Sequence, residues 1–167
     1  MKRVIILLFI ICLFVLVSFF LKSNENSTVS NESEIIDYDS YSTEEYYGYL
    51  KIPSVNMNLG FYNYNHELND VSQNVQYIPI PVSDSFLLVA HSGVGKIAFF
   101  NDLHYVGIGD DVYLEIKKVN RHYKITDIYR TVKDGDISIS KESGKLYLTT
   151  CDQVVKGYQL VIVATQV

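Results

Sequence analysis

The chain has 167 residues, 48% of them apolar and 20% charged, enough for one core but too few for two ordinary domains beside a membrane segment. Its formal charge is −5; Lys2, Arg3 and Lys22 precede residue 23, so the remainder carries −8, which argues against a nucleic-acid partner that must be held through its phosphates. Two Cys exclude a disulfide scaffold and a cysteine-rich zinc site, and fourteen Tyr favour β-structure.

Residues 4–21, VIILLFIICLFVLVSFFL, form an 18-residue run interrupted only by Ser18. At about 1.5 Å per residue it crosses most of a roughly 30 Å hydrocarbon layer. Lys2 and Arg3 ahead of it keep the N-terminus cytoplasmic and place the residues beyond Lys22 outside the membrane. The run is longer than the apolar region of a signal peptide, and KSNENS after it has no small-residue cleavage pattern. Residues 1–22 therefore read as a cytoplasmic tip and an uncleaved transmembrane signal-anchor, with Cys12 an apolar filler. Residues 23–45, polar and acidic, cannot bury enough surface to offset the entropy of ordering and read as a flexible stalk. The folded domain is expected over 46–167.

Within that domain, 47–53 (YGYLKIP) and 56–64 (NMNLGFYNY) read as two short strands with a bend at Pro53. HELNDVS (66–72) reads as a short helix, and FLLVA (86–90) as a buried central strand. IAFFNDLHYV (97–106) reads as a second short helix. DVYLEIKK (111–118) and HYKITDIYR (122–130) alternate apolar and polar residues and form a hairpin joined by Val119-Asn120-Arg121. LYLTTC (146–151) and YQLVIVATQ (158–166) are two further strands. Many short strands with one or two short helices specify an all-β domain, a closed barrel or a sandwich.

In this topology Cys12 and Cys151 lie on different sides of the membrane boundary and cannot bridge. Cys151 is then either a reactive thiol or a buried, inert one. Of the four His, His91 stands where the run FLLVA emerges, a position at which scaffolds present active residues, and Cys151 likewise ends a strand. His122 reads as a solvated strand residue, and His66 and His104 as surface or packing residues. Lys117, Lys118, Arg121 and Lys124 read as a solvated hairpin face.

AHSG (90–93) with AFFNDLHYVGIGDDVYL (98–114), then LYLTTCDQ (146–153) with QLVIVAT (159–165), resemble the sortases, membrane-anchored cysteine transpeptidases of Gram-positive bacteria, in the short, class A/D-like form. The resemblance spans about residues 47–167. It implies a closed eight-stranded β-barrel, Cys151 as nucleophile and His91 as acid/base. The enzyme would cleave a C-terminal Leu-Pro-x-Thr-Gly-like sorting signal of secreted proteins through a thioester. It would then transfer the acyl group to an amine of the cell wall or a pilin, from a single-pass anchor in the cell membrane with the catalytic domain outside.

The family's third residue, an arginine near the start of the last strand, has no counterpart: Tyr158 or Gln159 stands there, and the cation after Cys151 is Lys156. Gln159, whose amide offers two N–H groups, is the candidate oxyanion donor, with Tyr158 next and Arg130 or a backbone N–H as alternatives. No cofactor is expected. Asp110-Asp111 and Asp134/Asp136 are acidic loops of the sort that bind calcium in some sortases, yet they lack EF-hand spacing and read as surface. His91 precedes Cys151 by 60 positions, the reverse of the papain-like order, and no His lies near Cys151 as in L,D-transpeptidases. A competing reading is a catalytically impaired sortase-fold protein that binds surface-protein tails.

Overall fold

The period of two that a half-buried strand requires runs through most of the domain. In Gly48–Ile52, Gly48, Leu50 and Ile52 are buried while Tyr49 and Lys51 face water, and in Asp111–Ile116 the buried set is Val112, Leu114 and Ile116. The structure, a computed structural model, describes residues 45–167, which form eight strands: β1 (Gly48–Ile52), β2 (Met57–Phe61), β3 (Gln76–Ile78), β4 (Phe86–Val89), β5 (Asp111–Ile116), β6 (Val119–Val132), β7 (Lys145–Cys151) and β8 (Tyr158–Gln166). The expected membrane segment, and the stalk except for Glu45, lie outside the described residues. Among those described, no helix is long and apolar enough to cross a membrane.

The strands make one sheet in the order β2-β1-β5-β6-β8-β7-β4-β3, in which β4 with β7 is the parallel pair. A single bridge between Phe61 and Val75 joins the end of β2 to the residue before β3, so the sheet is nearly closed into a barrel. That curling leaves little open edge for another chain to pair with. Leu50, Leu114, Ile125, Leu148 and Ile162 are among the buried side chains that fill the interior. Each contributes about 1.5–3 kcal/mol by leaving water. The 14-residue β6 pairs with β5 through its first half and with β8 along most of its length, and a bulge between Ile125 and Asp127 lets it turn from one neighbour to the other.

Three elements differ from the sequence expectations. The β5–β6 hairpin turns at Lys117–Lys118, with φ of 50° and 66°, so Val119-Asn120-Arg121 belong to β6 and pair with Ile116, Glu115 and Leu114. A two-residue connection with both φ positive matches the strand twist, and the pairing outweighs the backbone cost at two lysines. Residues 66–72 form turns, not a helix, because their side chains take the backbone donors a helix would use. His66 Nδ1 accepts from Leu68 N–H (3.0 Å), Asp70 Oδ1 from Ser72 N–H (2.8 Å), and the buried Asn69 exchanges two bonds with the backbone of Tyr77. Of 97–106, only Asn101–Tyr105 is helical, as a 3-10 turn that buries Leu103. β3, three residues without alternation, had no periodic signal.

Candidate active site

Parallel pairing carries β4 up beside β7 as far as Val89 opposite Thr149. The contact continues past the strand. Ala90 N–H donates to the Thr149 carbonyl (3.3 Å), the Thr150 hydroxyl donates to the Ala90 carbonyl (2.8 Å), and the Ser92 hydroxyl donates to the Cys151 carbonyl (2.5 Å). The residues on both sides of His91 are thus fastened to the last residues of β7. These bonds bring His91, between Ala90 and Ser92, to the end of β7 where Cys151 stands. Both residues are half-buried, and Cys151 is a free thiol.

On its other side β7 pairs with β8, and there Cys151 lies opposite Gln159, which in turn lies opposite Thr131 of β6. Residues opposite one another share a face, so Cys151, Gln159 and Thr131 do, and by alternation Lys133 joins them just past the end of β6. Lys133 N–H extends the ladder to the Gly157 carbonyl (2.9 Å), and its ammonium donates to Cys151 Sγ at 3.0 Å. Gln159 is buried, and one of its two amide N–H groups donates to the Asp136 carbonyl (2.7 Å). Tyr158 is exposed on the alternate position, and Lys156 is exposed in the β7–β8 loop.

Arg130 lies opposite Leu160, one position out of phase with this face, and its guanidinium pairs with the Asp152 carboxylate. The Asp152 side chain has no exposure to water, and its other oxygen accepts from the N–H groups of Val154 (2.6 Å) and Val155 (2.9 Å), which shapes the loop after Cys151. Burial pushes this carboxyl upward, but those two N–H bonds and Arg130 outweigh it and hold the group below the usual carboxylate range.

Asn101 links the loops that come after His91 and Cys151. Its Oδ1 accepts from Gly93 N–H (3.1 Å) and from Gln153 Nε2 (2.6 Å). His104 Nε2 accepts from Gln153 N–H (3.1 Å), so its ring proton sits on Nδ1 and donates to the Asn101 carbonyl (3.2 Å). His104 is therefore a packing residue beside the site. His122 is away from it, bonded to Asp111 (2.7 Å) and stacked on Tyr113, and His66 stacks on Tyr62. Lys133 and Asn101 escaped the sequence reading, which ended the strand at Arg130 and so had no reason to carry the face on to Lys133.

The acidic loops have local uses: Asp110 accepts from the Ser54 hydroxyl and the Gly107 N–H, Asp111 from Lys124 and His122, and Asp134 from Asp136 N–H. Among the described residues no three His, Cys, Asp or Glu gather as a metal site.

A family model for the sortase domain matches residues 50–167, more than half of the chain. No curated protein sequence matches. Solved structures similar in fold include sortase C1 of pilus island 1 of group B Streptococcus (23% identity, TM-score 0.63, covering 75% of this chain and 66% of that one). Another is sortase C-1 of Actinomyces oris (21% identity, TM-score 0.63, 75% and 76%). A third is a lid mutant of sortase A from Corynebacterium diphtheriae (17% identity, TM-score 0.63, 82% and 81%). The domain match over nearly the whole described region, on an eight-stranded sheet of the same fold, makes this chain a member of the sortase family.

Proposed function

We propose that this sortase is an active cysteine transpeptidase with Cys151 as nucleophile and His91 as acid/base. The observation that supports it is that β4 runs parallel to β7 and that Ala90 and Ser92, on either side of His91, are hydrogen-bonded to Thr149, Thr150 and Cys151, a half-buried free thiol. The thiol proton passes to His91 as Cys151 Sγ bonds to the carbonyl carbon of a sorting signal. The C–N bond then breaks, the leaving amine takes that proton, and a thioester remains. An incoming amine attacks the thioester, gives a proton to His91 and restores the peptide bond, and the proton returns to sulfur.

The substrates of this reading are secreted proteins with a C-terminal Leu-Pro-x-Thr-Gly-like signal, and the acceptor is an amine of the cell-wall precursor or a pilin. Residues 1–22 would anchor the enzyme in the cell membrane with the domain outside, and no cofactor enters the reaction. A binding protein without turnover is the second reading, favoured by the absent arginine and by the Gln159 amide's existing bond to Asp136.

The test is acylation of the full-length chain in detergent by a sorting-signal peptide, read by intact mass. Wild type is expected to gain the acyl mass and release it to an added amine, and Cys151→Ala to gain none. Acylation that persists in Cys151→Ala would overturn the assignment.

A further inference from the structure

The geometry points to Lys133 as the cation of this active site: we propose that it is a catalytic residue, pairing with the Cys151 sulfur before attack and donating to the oxyanion afterwards. The inference rests on the transpeptidase reading and gives the charge missing from the last strand to a different strand.

Three observations converge on it. Its Nζ donates to Sγ at 3.0 Å, and among the described residues no other cation donates to that sulfur. The cation that the sequence offered from a neighbouring strand, Arg130, is out of phase and engaged by Asp152. The position of Lys133 is also built by the backbone. The Val132–Tyr158 pairing and the Lys133 N–H bond to Gly157 carry β6 past its last strand residue, on the face that holds Thr131, Gln159 and Cys151. The chain then turns sharply: Asp134 N–H returns to the Val132 carbonyl (3.0 Å), Gly135 takes a φ of +96°, and the Gln159 amide holds the Asp136 carbonyl. The lysine side chain spans β8 to reach Cys151 on β7. Gln159 on this view is a positioning residue that fastens the turn after Lys133.

The chemistry suits an ammonium. It is a compact point charge with three rotatable donors, where guanidinium is a rigid fork. In the tetrahedral intermediate the acyl carbon is one bond from Sγ and the oxyanion two, so an ammonium already on sulfur reaches the oxyanion by rotation about its terminal bonds. Its proton is shared throughout and not transferred; the proton that leaves with the amine comes from His91. Stabilising the oxyanion alone accounts for about 10²–10³ in rate when one donor is removed. The other ionisable groups on the elements around the pair are His91 after β4, the Arg130–Asp152 pair out of phase with this face, Lys156 in the β7–β8 loop, and Asp134 and Asp136 in the turn.

The test uses the full-length chain in detergent as wild type, Lys133→Met, Lys133→Arg and Gln159→Ala. One arm measures alkylation of Cys151 by neutral iodoacetamide and by anionic iodoacetate across pH, read by mass on the Cys151 peptide. The other measures turnover of a sorting-signal peptide. Lys133→Met is expected to lose wild type's preference for iodoacetate and to slow peptide turnover by about 10²-fold or more. Lys133→Arg should recover much of each loss. A Lys133→Met protein that keeps the wild-type preference for iodoacetate or wild-type turnover overturns the proposal, as does a loss of turnover carried by Gln159→Ala with Lys133→Met unaffected. Were alkylation to depend on Lys133 while wild type acylates no sorting-signal peptide, the Lys133–Cys151 contact would stand and the transpeptidase reading would fall.

Discussion

A carboxylate with no access to water must find its hydrogen bonds inside the protein, and Asp152 does so one residue beyond Cys151. Its folded carboxyl lies below the ordinary range, so the native state prefers the ionised form. That preference stabilises the fold above the unfolded value of about 3.9 and disappears as the pH falls through the folded value. Arg130 is 48% exposed and screened by water, so most of the effect belongs to the two backbone N–H bonds. Asp152→Asn is expected to lower stability by about 1–3 kcal/mol at neutral pH, with a gap that narrows as the solution is acidified below about pH 4. Urea denaturation of both proteins from neutral pH down to about pH 3 checks this, and a gap that is constant with pH would contradict it.

At the scale of elements, β1 is held against β5 at van der Waals contact, and Gly48 is what permits it. A Cβ there would meet the Glu115 carbonyl oxygen at 2.2 Å and the Phe61 ring at 2.6 Å. Gly48→Ala must push β1 off β5, and is expected to cost about 1–3 kcal/mol in denaturation midpoint analysis. An unchanged midpoint would show that β1 shifts freely.

The same elements show what the sequence could and could not reveal. β8 was legible because the apolar run LVIVA stands at its centre between turn signals, and the ends of β4 and β7 were legible because FLLV and LYLTTC stop at His91-Ser92-Gly93 and at Asp152. The 66–72 helix misled because Asn, Asp and His choose between helix and local backbone bonds according to contacts made elsewhere, here with Tyr77. Lys133 was illegible because its partner is 18 positions away across two strands, a proximity that exists only once the length of β6 and its register are known.

At the scale of the whole molecule, the barrel is assembled from pairings of very different reach along the chain. β5 joins β6 through a two-residue turn, and β7 joins β8 through a short loop, whereas β4 meets β7 through contacts between residues about 60 positions apart. Closing the longer loop costs more entropy, so the β4–β7 pairing should form after the local ones. During refolding from urea, the tyrosine signal should recover in part before peptide acylation does, with acylation tracking the slowest phase. Acylation that returned with the earliest phase would contradict this order.

The consequence is a safeguard of timing. A partly folded chain would already hold sulfur and ammonium together on β6–β8 but lack the imidazole, which arrives only with the parallel β4–β7 pairing. On the proposed mechanism such a chain cannot protonate a leaving amine, and so cannot become trapped as an acylated intermediate. Completion of the barrel and onset of chemistry are then a single event, and an immature molecule is silent toward its substrates.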